Sequence, residues 1–199
     1  MYDRIIALAL MAVFYGCYFA KMISQKKKGI KTNQLGKDKQ GATKFIEIAL
    51  KITTCLLPVI QICSIFILDR KEGNVQLVLG ITGMIVTATG VIFFILSVLQ
   101  MKDNWRAGVQ REEKTNLVTN GIYSISRNPA FVGFEFMYIG ILCTFFNVYL
   151  CVVTGLALVL FHLQIVKVEE AFLEEAFSEE YYLYKKKVFR YLGRKIEMF

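Results

Sequence analysis

The segment Val75–Met101, VQLVLGITGMIVTATGVIFFILSVLQM, contains no charged residue. About 20 apolar residues in a helix, at about 1.5 Å each, cross the hydrocarbon core of a bilayer, which is about 30 Å thick. The segment is therefore predicted to be a transmembrane helix. Gly80, Gly83, Thr87 and Gly90 recur in it at helical spacing, and such a stripe of small residues is typical of close contact between membrane helices.

Four further apolar segments are predicted to cross the membrane. Two of them precede the uncharged segment, at Ile5–Ile23 and Ile46–Leu68. A later apolar run of 40 residues would form about 60 Å of helix, which is enough for two spans. Asn147 lies near its midpoint, so we expect Pro129–Phe146 and Val148–Val168 to form a helical hairpin.

The composition agrees with this prediction. Of the 199 residues, 55% are hydrophobic and 20% are charged, and the mean hydropathy is +0.47. These values exclude a disordered chain and disfavour a soluble globule. The predicted fold class is all-α: a polytopic membrane bundle of about five transmembrane helices, with cytoplasmic amphipathic helices at the C-terminus. We expect residues 1–101 to hold three transmembrane helices and a Lys-rich loop. Residues 102–199 would hold the functional core, made of a cytoplasmic loop, the hairpin and the C-terminal helices.

The basic residues predict the orientation in the membrane. The chain has 24 Lys and Arg against 16 Asp and Glu, and 19 of the 24 lie in residues 24–44, residues 102–128 and the tail from Lys167 onward. Five spans place these three groups on one side, and basic loops favour the cytoplasm. We therefore expect an integral membrane protein with an external N-terminus, and with its active site and C-terminus in the cytoplasm.

Several classes of site are disfavoured by the residue types. The five cysteines lie apart in apolar runs and the chain has one histidine, which argues against a zinc site, a multi-histidine metal site or a disulfide framework. The first span lacks a small-residue cleavage site, so we expect it to stay uncleaved. The Lys-rich loop carries no interleaved aromatic residues, so anionic membrane lipids are its expected partner rather than nucleic acid.

Charged residues flank the predicted hairpin at its cytoplasmic end. Arg127 and Asn128 precede the fourth span, and Glu169 and Glu170 follow the fifth. A hairpin brings its two ends together, so these four residues should meet at the membrane surface. A simpler interpretation of Asn128 and Pro129 is local, because Asn is a common helix N-cap and Pro is favoured at the first helical position.

Two titratable residues lie inside the hairpin. Glu135 is seven residues after Asn128, on the same helical face, and an acid in a membrane needs a partner such as Arg127 or a Tyr hydroxyl. His162 is seven residues before Glu169, so it either faces the same site or is a satisfied core histidine.

The tail from Glu169 to Leu192 is predicted to form one or two amphipathic helices, with Ser178 as a cap of the second. Such helices lie on the membrane or fold over the hairpin. The predicted apolar stripe consists of Phe172, Leu173, Ala176, Phe177, Tyr184, Val188 and Tyr191.

Two separated motifs resemble a known family. The first is WRAGV at residues 105–109 followed by LVTNGIYSISRNPAFVG at residues 117–133, and the second is EEAFL at residues 169–173 with FSEEYYLY and VFR following at residues 177–184 and 188–190. They resemble the isoprenylcysteine carboxyl methyltransferases and phospholipid N-methyltransferases. That family carries Gly-x-Tyr-x-x-x-Arg-His-Pro-x-Tyr-x-Gly before a hairpin, then a Glu-Glu pair, Phe-Gly-x-x-Tyr-x-x-Tyr and a late Arg. The resemblance covers about residues 100–192.

The resemblance implies a methyltransferase core that binds S-adenosylmethionine and methylates a lipophilic or lipid-embedded acceptor without a metal. Three positions depart from the family pattern: Asn128 replaces His, Phe131 replaces Tyr and Ser178 replaces Gly. Arg190, Glu135 and His162 are the catalytic candidates. The implied cofactor-binding residues are Tyr123, Arg127, Asn128, Pro129, Phe131, Gly133, Glu169, Glu170, Tyr181 and Tyr184.

The chemistry of the cofactor matches these residue types. Arg127 suits its carboxylate, Glu169 or Glu170 suits its ammonium or ribose hydroxyls, and Tyr123 or Phe131 suits its sulfonium or adenine. An amine or hydroxyl acceptor needs a base, whereas a carboxylate or thiolate does not. Prenylated cysteine, phospholipid amines and small apolar thiols or acids all remain open as acceptors. An NADPH-dependent membrane reductase and a non-enzymatic scaffold or transporter are the alternative functions.

Overall fold

The computed structural model describes residues 2–30, 32, 34–36, 39–67, 73–106 and 116–195. Some residues used in the sequence analysis lie outside these ranges, namely residues 107–109 of the first motif and the basic residues Lys31, Lys37, Arg70, Lys71, Arg111 and Lys114. Six α-helices occur within the described ranges. They are α1 (Tyr2–Lys27), α2 (Gly41–Ile67), α3 (Asn74–Met101), α4 (Pro129–Thr144), α5 (Val148–Gln164) and α6 (Glu170–Lys187).

Helices α1 to α5 are apolar, which confirms the predicted all-α membrane bundle. α1, α2, α3 and the helical run that begins with α5 are long and apolar enough to cross a membrane. α4 has only 16 residues because it ends at Thr144, and the turn of the hairpin follows. Asn147 begins α5 as its N-cap, since its Oδ1 accepts a hydrogen bond from Leu150 N at 2.9 Å. The turn therefore lies where the sequence analysis placed it.

Helices α3 and α4 are in backbone contact along the predicted stripe of small residues. A Cβ atom on Gly90 would lie 2.6 Å from Met137 N and 2.7 Å from Gly133 O. One on Gly140 would lie 2.5 Å from Gly83 O. No side chain fits at these positions, so the glycines allow α3 to hold α4 at close range. The predicted role of the stripe is confirmed, and its partner is a second set of small residues on α4.

An aromatic cluster joins four helices at the level where the site forms. The rings of Phe14 and Phe94 lie 4.4 Å apart between centroids, and those of Phe94 and Phe134 lie 5.1 Å apart. Phe134 also contacts Tyr138 and Phe161. α1, α3, α4 and α5 are thereby packed around one core, while α5 makes its main helix contact with α2.

The tail folds over the end of the hairpin where α4 begins and α5 ends. A π-helical turn at Ile165–Glu169 joins α5 to α6, and α6 bends at Ser178, where φ is 36°. Tyr181, Tyr184 and Val188 are buried together, with Leu117, Leu173 and Phe177 packed against them. The predicted break at Ser178 is confirmed, and part of the predicted apolar stripe is buried.

Residues 188–194 form a strap that closes against the loop before α4. Arg127 N donates to Phe189 O at 3.1 Å, and Gly193 N donates to Ile125 O at 2.7 Å. Arg194 Nε donates to Ser124 O at 2.9 Å. The loop and the end of the chain are therefore one connected structure, although more than 60 residues separate them in sequence.

Candidate active site

Two neighbouring cavities lie at the end of the hairpin where α4 begins and α5 ends. The first, which we call the loop pocket, has a volume of about 140 Å³ and is bounded by the segments around Trp105 and Leu117, the loop before α4 and the first half of α6. Six of the ten candidate cofactor residues line it. They are Tyr123, Arg127, Asn128, Phe131, Glu169 and Tyr184.

Arg127 is held in the wall of this pocket by two partners on α6. Its Nη2 lies 2.9 Å from Glu170 Oε1, and its Nη1 donates to the hydroxyl of Tyr181 at 2.7 Å. The side chain is only 6% exposed. Its Nε is buried and has no hydrogen-bond partner among the described residues. Arg127 therefore has a fixed orientation, and its Nε–H remains without a partner among the described residues.

Glu170 lies behind Arg127 and outside the lining of the pocket. Arg190 binds the same carboxylate through two hydrogen bonds, from Nε and Nη2, each of 2.9 Å. Burial alone would raise the pKa of Glu170, but the hydrogen bond from Arg190 and the charge of Arg127 outweigh it and hold that pKa below its usual value. Glu170 is thus ionised and held by two guanidinium groups, whereas Glu169 is the carboxyl of the pair that lines the pocket.

The side chain of Asn128 does not cap α4. Asn128 occupies the N-cap position before Pro129, but it makes no side-chain cap hydrogen bond. Its Nδ2 donates instead to Arg190 O at 3.1 Å, which ties the strap to the loop before α4. Asn128 and Pro129 therefore occupy the N-cap and the first helical position, as the local interpretation expected, but the Asn128 side chain does not make a capping hydrogen bond.

The remaining candidates lie elsewhere. Gly133 packs against the backbone of Phe94 on α3 and lines neither cavity. His162 is exposed, with its Nδ1 2.7 Å from the hydroxyl of Tyr191. Burial, followed by the charge of Glu135, raises the pKa of Tyr191, so Glu135 faces the same tyrosine. Glu135 and His162 thus share a Tyr hydroxyl as neighbour, away from the lining of both cavities.

Glu169 is tied to a residue of α2 that the sequence analysis passed over. The amide nitrogen of Gln164 donates to Glu169 Oε1 at 3.3 Å and to Glu47 Oε1 at 3.2 Å. The side chain of Glu47 is 0% exposed and is paired with Lys39. An acid at the edge of the predicted second span was a signal for this contact, because ionisable residues in membrane segments usually have a functional or structural partner.

The second cavity, which we call the bundle cavity, lies between helices α1, α2, α4 and α5 and has a volume of about 560 Å³. Its walls are mainly apolar and aromatic, with Phe19, Leu50, Pro58 and Phe134 among them. The two cavities have four lining residues in common. These are Trp105, Arg106, Ala130 and Phe131. A pocket with several charged and polar side chains in its wall and a more apolar cavity therefore meet at the first turn of α4.

Trp105 is fixed at this junction by a buried glutamine. Gln25 Nε2 donates to Trp105 O at 2.8 Å, and Gln25 Oε1 accepts from Thr32 Oγ1 at 2.7 Å. The side chain of Gln25 is completely buried. Sequence reasoning gave Gln25 no role, since a single glutamine at the end of an apolar helix carries no spacing signal.

Within the described ranges, no group of three or more His, Cys, Asp or Glu side chains is arranged to hold a metal ion. The polar groups around the loop pocket include two guanidinium groups, amides, phenols and a carboxyl. These groups suit an organic ligand with charged and hydroxyl substituents.

Residues 78–180 match the family model of phospholipid methyltransferases. This match covers just over half of the chain, which therefore belongs to that family of membrane methyltransferases. The resemblance seen in the two motifs is confirmed. Over 79 residues the chain is also 38% identical to the protein-S-isoprenylcysteine O-methyltransferase of Saccharomyces cerevisiae, a match that covers 40% of this chain and 33% of the yeast protein. No solved structure shows a significant match to the chain.

Proposed function

We propose that this protein transfers a methyl group from S-adenosylmethionine to a lipophilic acceptor held in the membrane. The observation that carries the proposal is the junction of the loop pocket with the bundle cavity at Ala130 and Phe131. A hydrophilic donor and an apolar acceptor can each occupy a matching cavity there, with their reacting ends adjacent. Membership of the methyltransferase family supports the same reaction.

The residues of the loop pocket fit S-adenosylmethionine. Arg127 has a buried, unpartnered Nε among the described residues, and this donor suits the carboxylate of the ligand. Glu169 lines the pocket and suits the ammonium or the ribose hydroxyls, whereas Glu170 is already bound by two guanidinium groups. Tyr123 and Phe131 supply aromatic walls. When bound, the cofactor supplies an electrophilic methyl group on a sulfonium sulfur.

The other side chains have supporting roles in this proposal. Glu170 and Tyr181 orient Arg127, and Arg190 neutralises Glu170, so Arg190 acts as a positioning residue. Trp105 and Phe131 exclude water at the junction. Glu135 and His162 line neither cavity, so neither of them is proposed as a proton acceptor.

We also propose that the site faces the cytoplasm and that the N-terminus lies outside, as the basic loops favour. The bundle cavity takes residues from α1 and α2 as well as from the hairpin. In this arrangement the first 101 residues supply part of the acceptor site, and residues 102–199 supply the methyltransferase core.

Ligand-induced stabilisation of the purified protein in detergent tests the proposal. S-adenosylhomocysteine should raise the melting temperature, and labelled methyl from S-adenosylmethionine should appear in one component of a total lipid extract. Arg127→Lys should abolish both effects without unfolding the protein. Stabilisation by NADPH without any effect of S-adenosylhomocysteine would favour a reductase. If neither ligand stabilises the protein and no methyl transfer is detected, the results favour a scaffold or transporter.

A further inference from the structure

Glu47 belongs to α2, outside the segment that matches the family model. One side chain, that of Gln164, connects it to the lining of the loop pocket. Gln164 is 0% exposed and donates its amide to both Glu47 and Glu169. Gln164 lines the bundle cavity, and Glu169 lines the loop pocket. The three side chains therefore form a buried connection between the N-terminal helices and the wall of the proposed cofactor site.

The partners of Glu47 fix the orientation of its side chain. Lys39 pairs with Glu47 Oε1, and Gly36 N donates to Glu47 Oε2 at 2.6 Å. Both partners belong to the segment between α1 and α2. A buried carboxylate with a cation and two N–H donors is held in one orientation. Its negative charge is then directed at the amide that also binds Glu169.

We propose that Glu47 is a positioning residue that acts on Glu169 both by its own charge and through the amide of Gln164, so that the first two helices govern ligand binding in the loop pocket. This inference rests on the proposed function, because it treats Glu169 as the group that contacts the ammonium or ribose of the cofactor. Glu47 itself lines neither cavity and touches no ligand.

The surroundings of Glu169 determine the sign of the effect. Burial raises the pKa of Glu169 to about 7; the hydrogen bond from Gln164 and the charge of Lys39 oppose this rise, and the charge of Glu47 adds to it. Tyr123 faces Glu169 from the loop before α4, and Arg127 and Arg106 line the same pocket. Neither the Tyr nor the Arg side chains change charge near pH 7. Glu169 ionises as the pH rises through about 7, so ligand affinity that needs the carboxylate rises over the same interval.

Two substitutions should move the midpoint of the pH dependence of ligand affinity in opposite directions. Glu47→Gln removes a negative charge near Glu169, which lowers the pKa of Glu169 and moves the midpoint to lower pH. Gln164→Met removes the hydrogen bond that favours the charged form, which moves the midpoint to higher pH. We expect each midpoint to move by about 0.5–1 pH unit. A residue with a purely structural role would lower stability without producing such opposite shifts.

The experiment is a measurement of S-adenosylhomocysteine affinity by calorimetry from pH 5.5 to 8.5, with the full-length protein in detergent. Gln61→Met is the matched control, because Gln61 is another completely buried glutamine that has an unpartnered Oε1 among the described residues and lines neither cavity. His162→Gln is a second control, because it replaces the single histidine of the sequence, which lines neither cavity. Both controls should keep the midpoint of the wild type.

Opposite shifts of Glu47→Gln and Gln164→Met support the proposal. Midpoints that stay at the wild-type value, or that move in the same direction, overturn it. If Glu47→Gln does not fold, Gln164→Met decides alone, since its midpoint must rise. The two levels of inference fail separately: wild-type protein that binds no S-adenosylhomocysteine refutes the proposed function, whereas normal binding with unmoved midpoints refutes only the role of Glu47.

Discussion

The guanidinium of Arg127 lies 2.9 Å from the carboxylate of Glu170, and this ion pair joins the loop before α4 to the first turn of α6. Each side chain is only 6% exposed. Arg190 completes the pair from the C-terminal strap. Three segments that are distant in sequence thus meet at one carboxylate, and the orientation of the proposed ligand-binding Arg127 depends on it.

Substitution of Glu170 by Gln should strongly destabilise the protein. Two guanidinium groups would lose their counter-charge, and removal of one partner from a buried ion pair costs about 3–5 kcal/mol. The free energy of unfolding, measured by titration with SDS in mixed micelles, should fall by this order. Glu174→Gln is the control on the same helix, because Glu174 pairs with Lys185 at the surface and such pairs contribute about 0–1 kcal/mol. Equal losses for both variants would contradict this prediction.

Contact between α3 and α4 should be disrupted by a single methyl group. In Gly90→Ala the new Cβ would lie 2.6 Å from Met137 N, so the two backbones must separate, at a cost of about 1–3 kcal/mol. Gly155→Ala on α5 is the control, since a Cβ there has nothing within 4 Å, and alanine is favoured over glycine in a helix by about 1 kcal/mol. Melting temperatures in detergent should fall for the first variant and rise slightly for the second. A fall for both would mean that close packing is not the reason.

The membrane helices and the hairpin turn were predictable from sequence, because hydropathy, chain length and an N-cap such as Asn147 act within one segment. The glycine stripe on α3 also predicted close packing. The sequence did not reveal which helix packs against this stripe, because that depends on how distant segments meet in three dimensions. Gly133 shows this limit: the motif suggested a pocket residue, and the structure places it against Phe94 in the α3–α4 contact.

The candidate site, like the fold, was predictable from the sequence only in part. The motif residues Tyr123, Arg127 and Glu169 line one pocket as the resemblance implies. The difference in role between Glu169 and Glu170 did not follow from sequence, because it depends on which carboxyl faces Arg190 after the strap has folded back. Gln164 and Glu47 are 117 residues apart, and no periodic pattern in a single sequence indicates that they are in contact.

Replacement of Ser178 by glycine should stabilise α6. Ser178 has a φ of 36° and a ψ of −105°, a backbone conformation that disfavours residues with a Cβ, and the related motif carries glycine at this position. Relief of such strain should raise the free energy of unfolding by about 1–3 kcal/mol. The greater freedom of glycine in the unfolded chain offsets about 0.5–1 kcal/mol of this gain. The melting temperature should therefore rise by a few degrees. Ser178→Ala keeps a Cβ and should bring no such gain; an equal rise for alanine would exclude strain as the cause.

Filling the bundle cavity should separate acceptor binding from cofactor binding. Cys55 lines this cavity and not the loop pocket, so the large side chain in Cys55→Trp should occupy space that the acceptor needs. Binding of S-adenosylhomocysteine should persist, while kcat/KM for a labelled lipid acceptor should fall by about 10-fold or more, mainly through KM, if the lost contacts are worth at least about 1.4 kcal/mol. Cys63→Trp is the matched control, because Cys63 is also exposed, lies on the same helix and lines neither cavity. A similar loss of activity in both variants, or a loss of S-adenosylhomocysteine binding in Cys55→Trp alone, would show that the bundle cavity is not the acceptor site.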